Sequence, residues 1–186
     1  GFCLVGSEMC IRDRLNRLCV PLPIYVIADQ LGVPRSELTL LKKWSDASTS
    51  RLGRLADEDQ QIQNAKDIVE FQHYFADLID RMREHPEDNI ISDLANNTID
   101  EGRLLTKPEA LGMIQQILVA GNETSTNAIA GGVVLLIENP EEQAKLRGSP
   151  ELIPTAVEEI LRLETPTSGM WRRATQDTEI DGVAIP

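Results

Sequence analysis

The chain has few aromatic side chains, only two histidines and no long apolar run, and each shortage excludes a class of protein. The histidines, His73 and His85, do not have the spacing of a metal-ligand pair. No stretch reaches the roughly 18 consecutive apolar residues that a membrane-spanning helix needs, and no signal peptide is recognisable. The net charge of −12 argues against nucleic acid as a partner.

The three cysteines, Cys3, Cys10 and Cys19, all lie near the N-terminus. Clustered cysteines suit disulfides in a secreted protein, but no other feature is typical of secretion, so we expect reduced thiols in a cytoplasmic protein. Residues 1–14 look like translated sequencing-adapter sequence and are excluded from the functional argument. The domain to be explained is therefore 15–186.

Helical periodicity dominates the rest of the sequence. Apolar positions recur at helical spacing and predict helices at about 22–31, 36–48, 55–83, 89–95, 107–138 and between 149 and 166. Ser36 is the expected N-cap of the second of these helices. Thr106 and Glu109 form a capping box that opens the longest of these helices, about 33 residues or roughly 50 Å long. Residues 178–185 predict a hairpin around Asp181-Gly182. The fold class is therefore mainly α, with a core-crossing helix and a small β hairpin at the C-terminal end.

The long helix contains the sequence Ala-Gly-Asn-Glu-Thr at residues 120–124, which is unusual inside an apolar helix. Glycine costs about 1 kcal/mol against alanine there, a buried carboxylate needs a partner, and threonine competes for backbone carbonyls. One stripe at i, i+3, i+4 spacing comprises Ile117, Ala120, Gly121, Thr124, Ala128 and Gly131. Two interpretations stay open: a small or flat group approaches the backbone, or helices pack tightly while Thr124 bonds the Ala120 carbonyl.

A second motif follows the first along the chain. Glu159 and Arg162 lie i, i+3 on a helix, which favours an ion pair but is usually a solvated surface feature. Pro166, residues 171–175 and residues 177–186 come after it. In this order, and together with the upstream segment 21–34, these segments resemble the cytochrome P-450 superfamily of haem-thiolate monooxygenases. The resemblance is greatest to the soluble bacterial members and covers 15–186.

The resemblance implies the central-to-late portion of that fold and a haem b (iron protoporphyrin IX) lying against residues 120–124. Ala120 and Gly121 would contact the cofactor, and the side of Gly121 would leave room for dioxygen and substrate. Thr124 and Glu123 would be catalytic, through hydrogen bonding and proton supply to the dioxygen that the cofactor activates. For Glu123 the alternative is a carboxylate paired with a distant Lys or Arg. Arg172 would bind a haem propionate.

The resemblance also implies structural and substrate-facing positions. Glu159 and Arg162 would form a buried structural ion pair behind the haem. The segment 21–34 would precede the helices that form the roof of the substrate site. The pocket for a small hydrophobic substrate would include Gln116, Val119, Thr167 and Trp171. Which substrate fits is not readable from these residues.

The iron ligand is expected outside this chain. In the family, the ligating cysteine lies in a Gly-containing loop well after the E-x-x-R helix, so we expect it beyond Pro186. None of the three cysteines has that context, so the chain itself would hold no metal ligand and would be inactive alone. The parent enzyme would need dioxygen and an electron donor such as a ferredoxin or flavodoxin with its reductase, and would involve neither membrane nor nucleic acid.

Two further interpretations compete with an oxygen-activating enzyme. In one, the chain is a helical interaction or scaffold protein without a cofactor, whose small-residue stripe only packs helices. In the other, it is a family-like protein with altered chemistry, such as an isomerase or a peroxygenase. The adjacent acid and alcohol, Glu123 and Thr124, favour ordinary oxygen activation over the altered chemistry.

Overall fold

The computed structural model describes residues 15–53, 57–167, 169 and 172–185, so the adapter-like segment and Trp171 lie outside the described residues. In these ranges the elements are α1 (Pro21–Leu31), α2 (Leu38–Gly53), α3 (Glu58–Glu84), α4 (Ile90–Asn96), α5 (Lys107–Glu138), α6 (Pro140–Gly148), α7 (Ile153–Leu163), β1 (Thr178–Ile180) and β2 (Val183–Ile185). A π-helical turn, Leu15–Cys19, precedes α1. None of the described helices is both long and apolar enough to cross a membrane.

Local hydrogen bonds and backbone conformations define the ends of three helices. The Asn89 side chain accepts a hydrogen bond from the Ser92 backbone N–H at the start of α4. At α5 both halves of the predicted capping box form, with Thr106 bonding the Glu109 N–H and Glu109 bonding the Thr106 N–H. Helix α1 ends at Gly32, whose φ of 66° is the left-handed conformation that favours glycine. The capping box satisfies backbone donors that would otherwise lack intrahelical partners.

The expected cap at Ser36 is wrong, because helical structure begins before it. Residues Arg35–Glu37 form a 3-10 turn that leads into α2. Pro34 has a φ of −58° and its carbonyl accepts from the Glu37 N–H at 2.9 Å. Proline's ring presets that φ, so the turn closes on Pro34 and Ser36 lies inside it.

The core lies among α1 to α5. Trp44 on α2 is at its centre, with edge-on or tilted rings of Phe71, Tyr74 and Phe75 from α3 at centroid distances of 5.2 to 5.9 Å. The N-terminal half of α5 enters this core through Ala110, Ile114 and Leu118, which are fully buried. Within the described part of the chain, no residue of α6 or α7 is buried. Helix α5 thus connects a packed core to an open C-terminal part.

The predicted hairpin is confirmed. Strands β1 and β2 pair antiparallel with Thr178 opposite Ile185 and Ile180 opposite Val183. Asp181 and Gly182 have φ values of 49° and 78°. Positive φ at both central residues is the signature of the two-residue turn that matches the strand twist.

Candidate functional site

Helix α5 presents two opposite faces around the Ala-Gly-Asn-Glu-Thr motif. Its buried residues are Ala110, Ile114, Leu118, Asn122 and Gly132. On the other side of the helix, the exposed positions around the motif are Gln116, Ala120, Glu123 and Asn127. The predicted small-residue stripe follows the border between the two faces, with Ala120 exposed and its other members half-buried. A bound group can therefore reach the motif from the exposed side, across Ala120.

The Thr124 hydroxyl lies on this border and bonds its own helix. Its Oγ1 donates to the Ala120 carbonyl oxygen at 2.5 Å. This is the hydrogen bond that the helix-packing interpretation expects. The hydroxyl proton is engaged, whereas the oxygen keeps lone-pair capacity to accept a further hydrogen bond. In this conformation Thr124 presents an acceptor at the edge of the exposed face.

Two polar side chains, the carboxylate of Glu123 and the amide of Gln116, flank Ala120 on the exposed face. Glu123 is exposed, so its carboxylate is in contact with solvent. Gln116, one turn before Ala120, is also exposed, and Val119 is half-buried. The face therefore combines a small methyl, a solvent-contacting acid and a hydroxyl within two helical turns.

The direction in which a side chain on Gly121 would point is occupied by α1. A Cβ added at Gly121 would lie 3.2 Å from Ile27 Cδ1, and room for dioxygen and substrate on another side of Gly121 stays a prediction. Ile27 itself is buried. Glycine at 121 lets α1 approach α5, because any side chain would meet that isoleucine. Ala120, on the exposed face, is the residue beside which a ligand could lie.

Further along α5, two glycines let α7 approach closely. A Cβ at Gly132 would lie 3.0 Å from Ile160 Cγ2, and one at Gly131 would lie 2.9 Å from Glu164 Cβ. The sequence interpretation included Gly131 in the stripe but missed Gly132. These contacts seat the helix of Glu159 and Arg162 against the helix that carries Thr124.

Glu159 and Arg162 form a bidentate ion pair on α7. Arg162 Nε donates to Glu159 Oε2 at 2.7 Å, and Nη2 donates to Oε1 at 2.6 Å. The hydrogen bond from Arg162 lowers the pKa of Glu159 below its ordinary value. The side chains are 53% and 65% exposed, so the burial implied by the resemblance is not found in this chain. The reason is that α7 contacts α5 through Ile160, and nothing in the described part of the chain covers the ion pair.

An open apolar cavity lies near this ion pair. It has a volume of about 420 Å³ and lies between the end of α5, α6 and α7, with Leu135, Leu146, Ala156 and Ile160 among its lining residues. Leu135 is eleven residues after Thr124, or about 16 Å along a helix. The cavity is therefore separate from the face that carries the motif.

The remaining expected site residues follow α7. Thr167 and Arg172 lie outside regular secondary structure between α7 and β1, and both are exposed. Arg172 makes an interaction of its own within the structure. Trp171 lies outside the described residues.

One polar residue of the motif was missed by the sequence interpretation. Asn122 is 3% exposed and its Nδ2 donates to Ser45 Oγ on α2 at 2.8 Å. A signal was present, because Asn122 continues the i, i+4 series of Ala110, Ile114 and Leu118 on the buried face.

Comparison with known proteins finds consistent similarity along nearly the whole chain. The cytochrome P-450 monooxygenase PikC of Streptomyces venezuelae is 37% identical over 175 residues, which are 94% of this chain and 40% of PikC. The biotin biosynthesis cytochrome P-450 of Bacillus subtilis (strain 168) is 36% identical over 93% of this chain and 43% of its own length. No protein-family profile matches the chain.

Solved structures agree in fold as well as in sequence. The BioI cytochrome P-450, in complex with an acyl carrier protein ligated to hexadec-9Z-enoic acid, superposes with a TM-score of 0.82 at 35% identity, over 92% of this chain and 44% of that one. The ligand-free cytochrome P-450 TbtJ1 gives 0.84 at 34% identity, over 93% and 46%. The chain thus spans less than half the length of the proteins it matches.

Proposed function

Because the chain belongs to the cytochrome P-450 superfamily, we propose that it is part of a haem-dependent monooxygenase that inserts one atom of dioxygen into a small organic substrate. The observation that supports this most is the exposed face of α5, where Ala120 lies beside Glu123 and the border residue Thr124. We refer below to the longer protein that contains this chain as the complete protein.

The residues on this face fit a haem b. Ala120 is exposed and carries only a methyl group, so a flat group can lie against the helix without displacing a large side chain. Gly121 would contact the haem through its backbone, since Ile27 of α1 occupies the direction in which a side chain would point. Arg172 is exposed and would hold a propionate through charge-assisted hydrogen bonds. When bound, the haem supplies the oxidising chemistry toward dioxygen.

Glu123 and Thr124 would bring protons to that face. The exposed carboxylate of Glu123 takes a proton from solvent and releases it toward Ala120. The Thr124 hydroxyl now donates to the Ala120 carbonyl, so it must turn away from that carbonyl before it can donate elsewhere. Its oxygen can accept a proton from the Glu123 side while its own proton moves onward, so the hydroxyl would act as the last relay atom.

In the complete protein, Glu159 and Arg162 would be buried. The solvent-exposed apolar side chains on the same helix support this, because Val157, Leu161 and Leu163 are 38 to 52% exposed. An amphipathic helix with its apolar side uncovered is typical of a surface that packs against further chain. Covering α7 would also enclose the ion pair, whose geometry is already bidentate.

The complete protein would act in the cytoplasm with a ferredoxin or flavodoxin and its reductase as electron donor. Its substrate would be a small hydrophobic molecule bounded by Gln116, Val119, Thr167 and Trp171. The iron ligand would be a cysteine outside this chain, so the chain alone would be inactive. Neither a nucleic acid nor a membrane is proposed as a partner.

A helical interaction protein without a cofactor is the second candidate. The Thr124–Ala120 hydrogen bond and the contact between Gly121 and Ile27 favour it, because both explain the motif by packing alone. This candidate predicts that the complete protein has no affinity for porphyrin. It also predicts that Glu123 and Thr124 can be replaced without functional loss.

Carbon monoxide difference spectroscopy separates the two candidates. Hemin is added to the purified complete protein, which is then reduced and exposed to carbon monoxide. A Soret band at the position of thiolate-ligated haem is expected for the complete protein but not for residues 1–186 alone. No haem uptake by the complete protein would favour the interaction protein. A thiolate-type band from the 186-residue chain would show that the iron ligand has been misplaced.

A further inference from the structure

Helix α2 and helix α5 are joined by hydrogen bonds between side chains as well as by apolar packing. Asn122 Nδ2 donates to Ser45 Oγ at 2.8 Å, and Gln115 Nε2 donates to Ser48 Oγ at 3.2 Å. From the first of these hydrogen bonds to the second, the residue number increases on α2 and decreases on α5, so the two helices run in opposite directions. Two tethers, about two turns of α5 apart, therefore connect them.

The Asn122 amide is only half-satisfied. Its Oδ1 is buried and has no hydrogen-bond partner within the described part of the chain. Asn122 and Ser45 are 3% and 1% exposed, and the nearby Leu41 and Leu118 are fully buried. Rotating the amide by 180° would let Ser45 donate to the oxygen, but it would leave the Nδ2 donors unpaired instead. In either orientation one amide atom needs another partner.

Buried polar atoms are satisfied by protein groups or by ordered water, and a buried water commonly serves those that lack a protein partner. Such a water needs at least two polar partners. Asn122 Oδ1 supplies an acceptor, and the Ser45 hydroxyl, which accepts from Nδ2, still has a proton to donate and a lone pair to offer. The pair thus supplies both kinds of partner at one point between the helices.

We propose that Asn122 and Ser45 form a buried binding site for one water molecule between α2 and α5, and that Asn122 is thereby a positioning residue that sets where α2 lies along α5. Apolar contacts such as those of Leu41 and Leu118 are non-directional and tolerate sliding of one helix along the other. A hydrogen bond of 2.8 Å does not tolerate it. The amide–hydroxyl–water unit therefore selects one position.

The position of α2 matters because of what it is attached to. Asn64 Nδ2 of α3 donates to Ser50 Oγ of α2 at 2.9 Å, so α3 is hydrogen-bonded to the same helix. Asn122 directly precedes Glu123 and Thr124. If α2 and α3 form the roof of the substrate site, the water site fixes that roof relative to the acid and the alcohol. This consequence rests on the proposed function.

The direct test is a crystal structure of the complete protein at a resolution that shows ordered water. One water within hydrogen-bond distance of Asn122 Oδ1 is expected, with Ser45 as its second partner. In Ser45→Ala, a second water should occupy the place of the lost hydroxyl. A protein donor on Oδ1 from another part of the complete chain, or a dry Oδ1, would overturn the proposal.

The positioning role is tested by a double-mutant cycle in the same protein. Ser45→Ala and Asn122→Leu should each weaken substrate affinity by about tenfold, measured by the substrate-induced shift of the haem spectrum. The double variant should bind substrate no more weakly than the single variant with the lower affinity, because both changes disrupt the same Asn122–Ser45 water site. Multiplying effects, or unchanged affinity in all variants, would contradict the role.

Two controls keep the outcome readable. Asn139→Leu is the same substitution at the exposed residue that directly follows α5, where Nδ2 donates to the Leu135 carbonyl at 2.9 Å, and it should leave substrate affinity unchanged. Should Asn122→Leu fail to fold, Ser45→Ala still decides through its affinity and its crystal structure. A wild-type protein without thiolate-ligated haem would refute the proposed function, whereas the water site stands or falls by the crystal structure alone.

Discussion

Ile160 occupies the space that a side chain on Gly132 would need. A Cβ at Gly132 would lie 3.0 Å from Ile160 Cγ2 and 3.1 Å from Cδ1, closer than ordinary van der Waals contact. This contact seats α7 on α5, and so relates Glu159 and Arg162 to Glu123 and Thr124. The two sequence motifs are therefore parts of one packed unit.

Gly132→Ala should destabilise the complete protein by about 1–2 kcal/mol, because overpacking against Ile160 outweighs the gain of about 1 kcal/mol in helix propensity. Gly112→Ala is the matched control on the same helix, since no atom lies within 4 Å of its added Cβ. That change should stabilise by about 0.5–1 kcal/mol. Denaturant unfolding measures both changes, and stabilisation of equal size in the two variants would refute the tight contact.

Thr124→Ala should leave haem binding and substrate affinity intact, because it removes one hydroxyl and little volume. Without the relay atom, more of the electrons consumed should leave as hydrogen peroxide. The measurement is the ratio of hydroxylated product to reduced nicotinamide consumed, which should fall. Thr124→Ser keeps the hydroxyl and should stay closer to wild type. An unchanged ratio in Thr124→Ala would leave only the bond to the Ala120 carbonyl as the role of this side chain.

Glu159→Ala should abolish haem incorporation in the complete protein, since Arg162 would become a buried cation without its partner. In the 186-residue chain, where both side chains are largely exposed, the same change should have little effect on unfolding. Haem content per protein and the unfolding midpoint are the two measurements. Full haem occupancy in the variant would show that the ion pair stays on the surface of the complete protein as well.

The capping box of α5 should make the start of that helix sensitive to acid. Hydrogen bonds from Arg103 and from Thr106 lower the pKa of Glu109 from 4.5 to about 2. A carboxyl whose folded-state pKa is lowered stabilises the fold above its unfolded value and loses that contribution as pH falls through the folded value. Between pH 4.5 and 2, the protection of the first-turn amides of α5 against exchange, relative to their intrinsic exchange rate at each pH, should therefore fall.

Glu109→Gln is the control for this pH dependence. Its neutral amide cannot titrate, so the loss of protection across that pH range should disappear, with weaker protection already present at neutral pH. Because the Arg103–Glu109 pair is exposed, added salt should reduce the difference between wild type and variant. Identical pH profiles for the two proteins would assign the acid sensitivity to other carboxyl groups.

The sequence by itself determined the features that depend on neighbouring residues. Its period of 3.6 and the Thr106–Glu109 box located α5, and Asp181-Gly182 located the hairpin, because capping and turn geometry involve residues only a few positions apart. The start of α2 was placed wrongly for a local reason too, since the turn at Pro34 competed with a serine cap.

Tertiary structure alone decided what each small or polar residue of α5 is for. Gly121 and Gly132 have the same side chain on the same helix, yet one faces Ile27 of α1 and the other faces Ile160 of α7. Asn122 meets Ser45, which lies 77 positions away in the sequence. Helical spacing shows which residues share a face of a helix. It does not predict which distant segment packs against that face, because that depends on the tertiary packing of the whole fold.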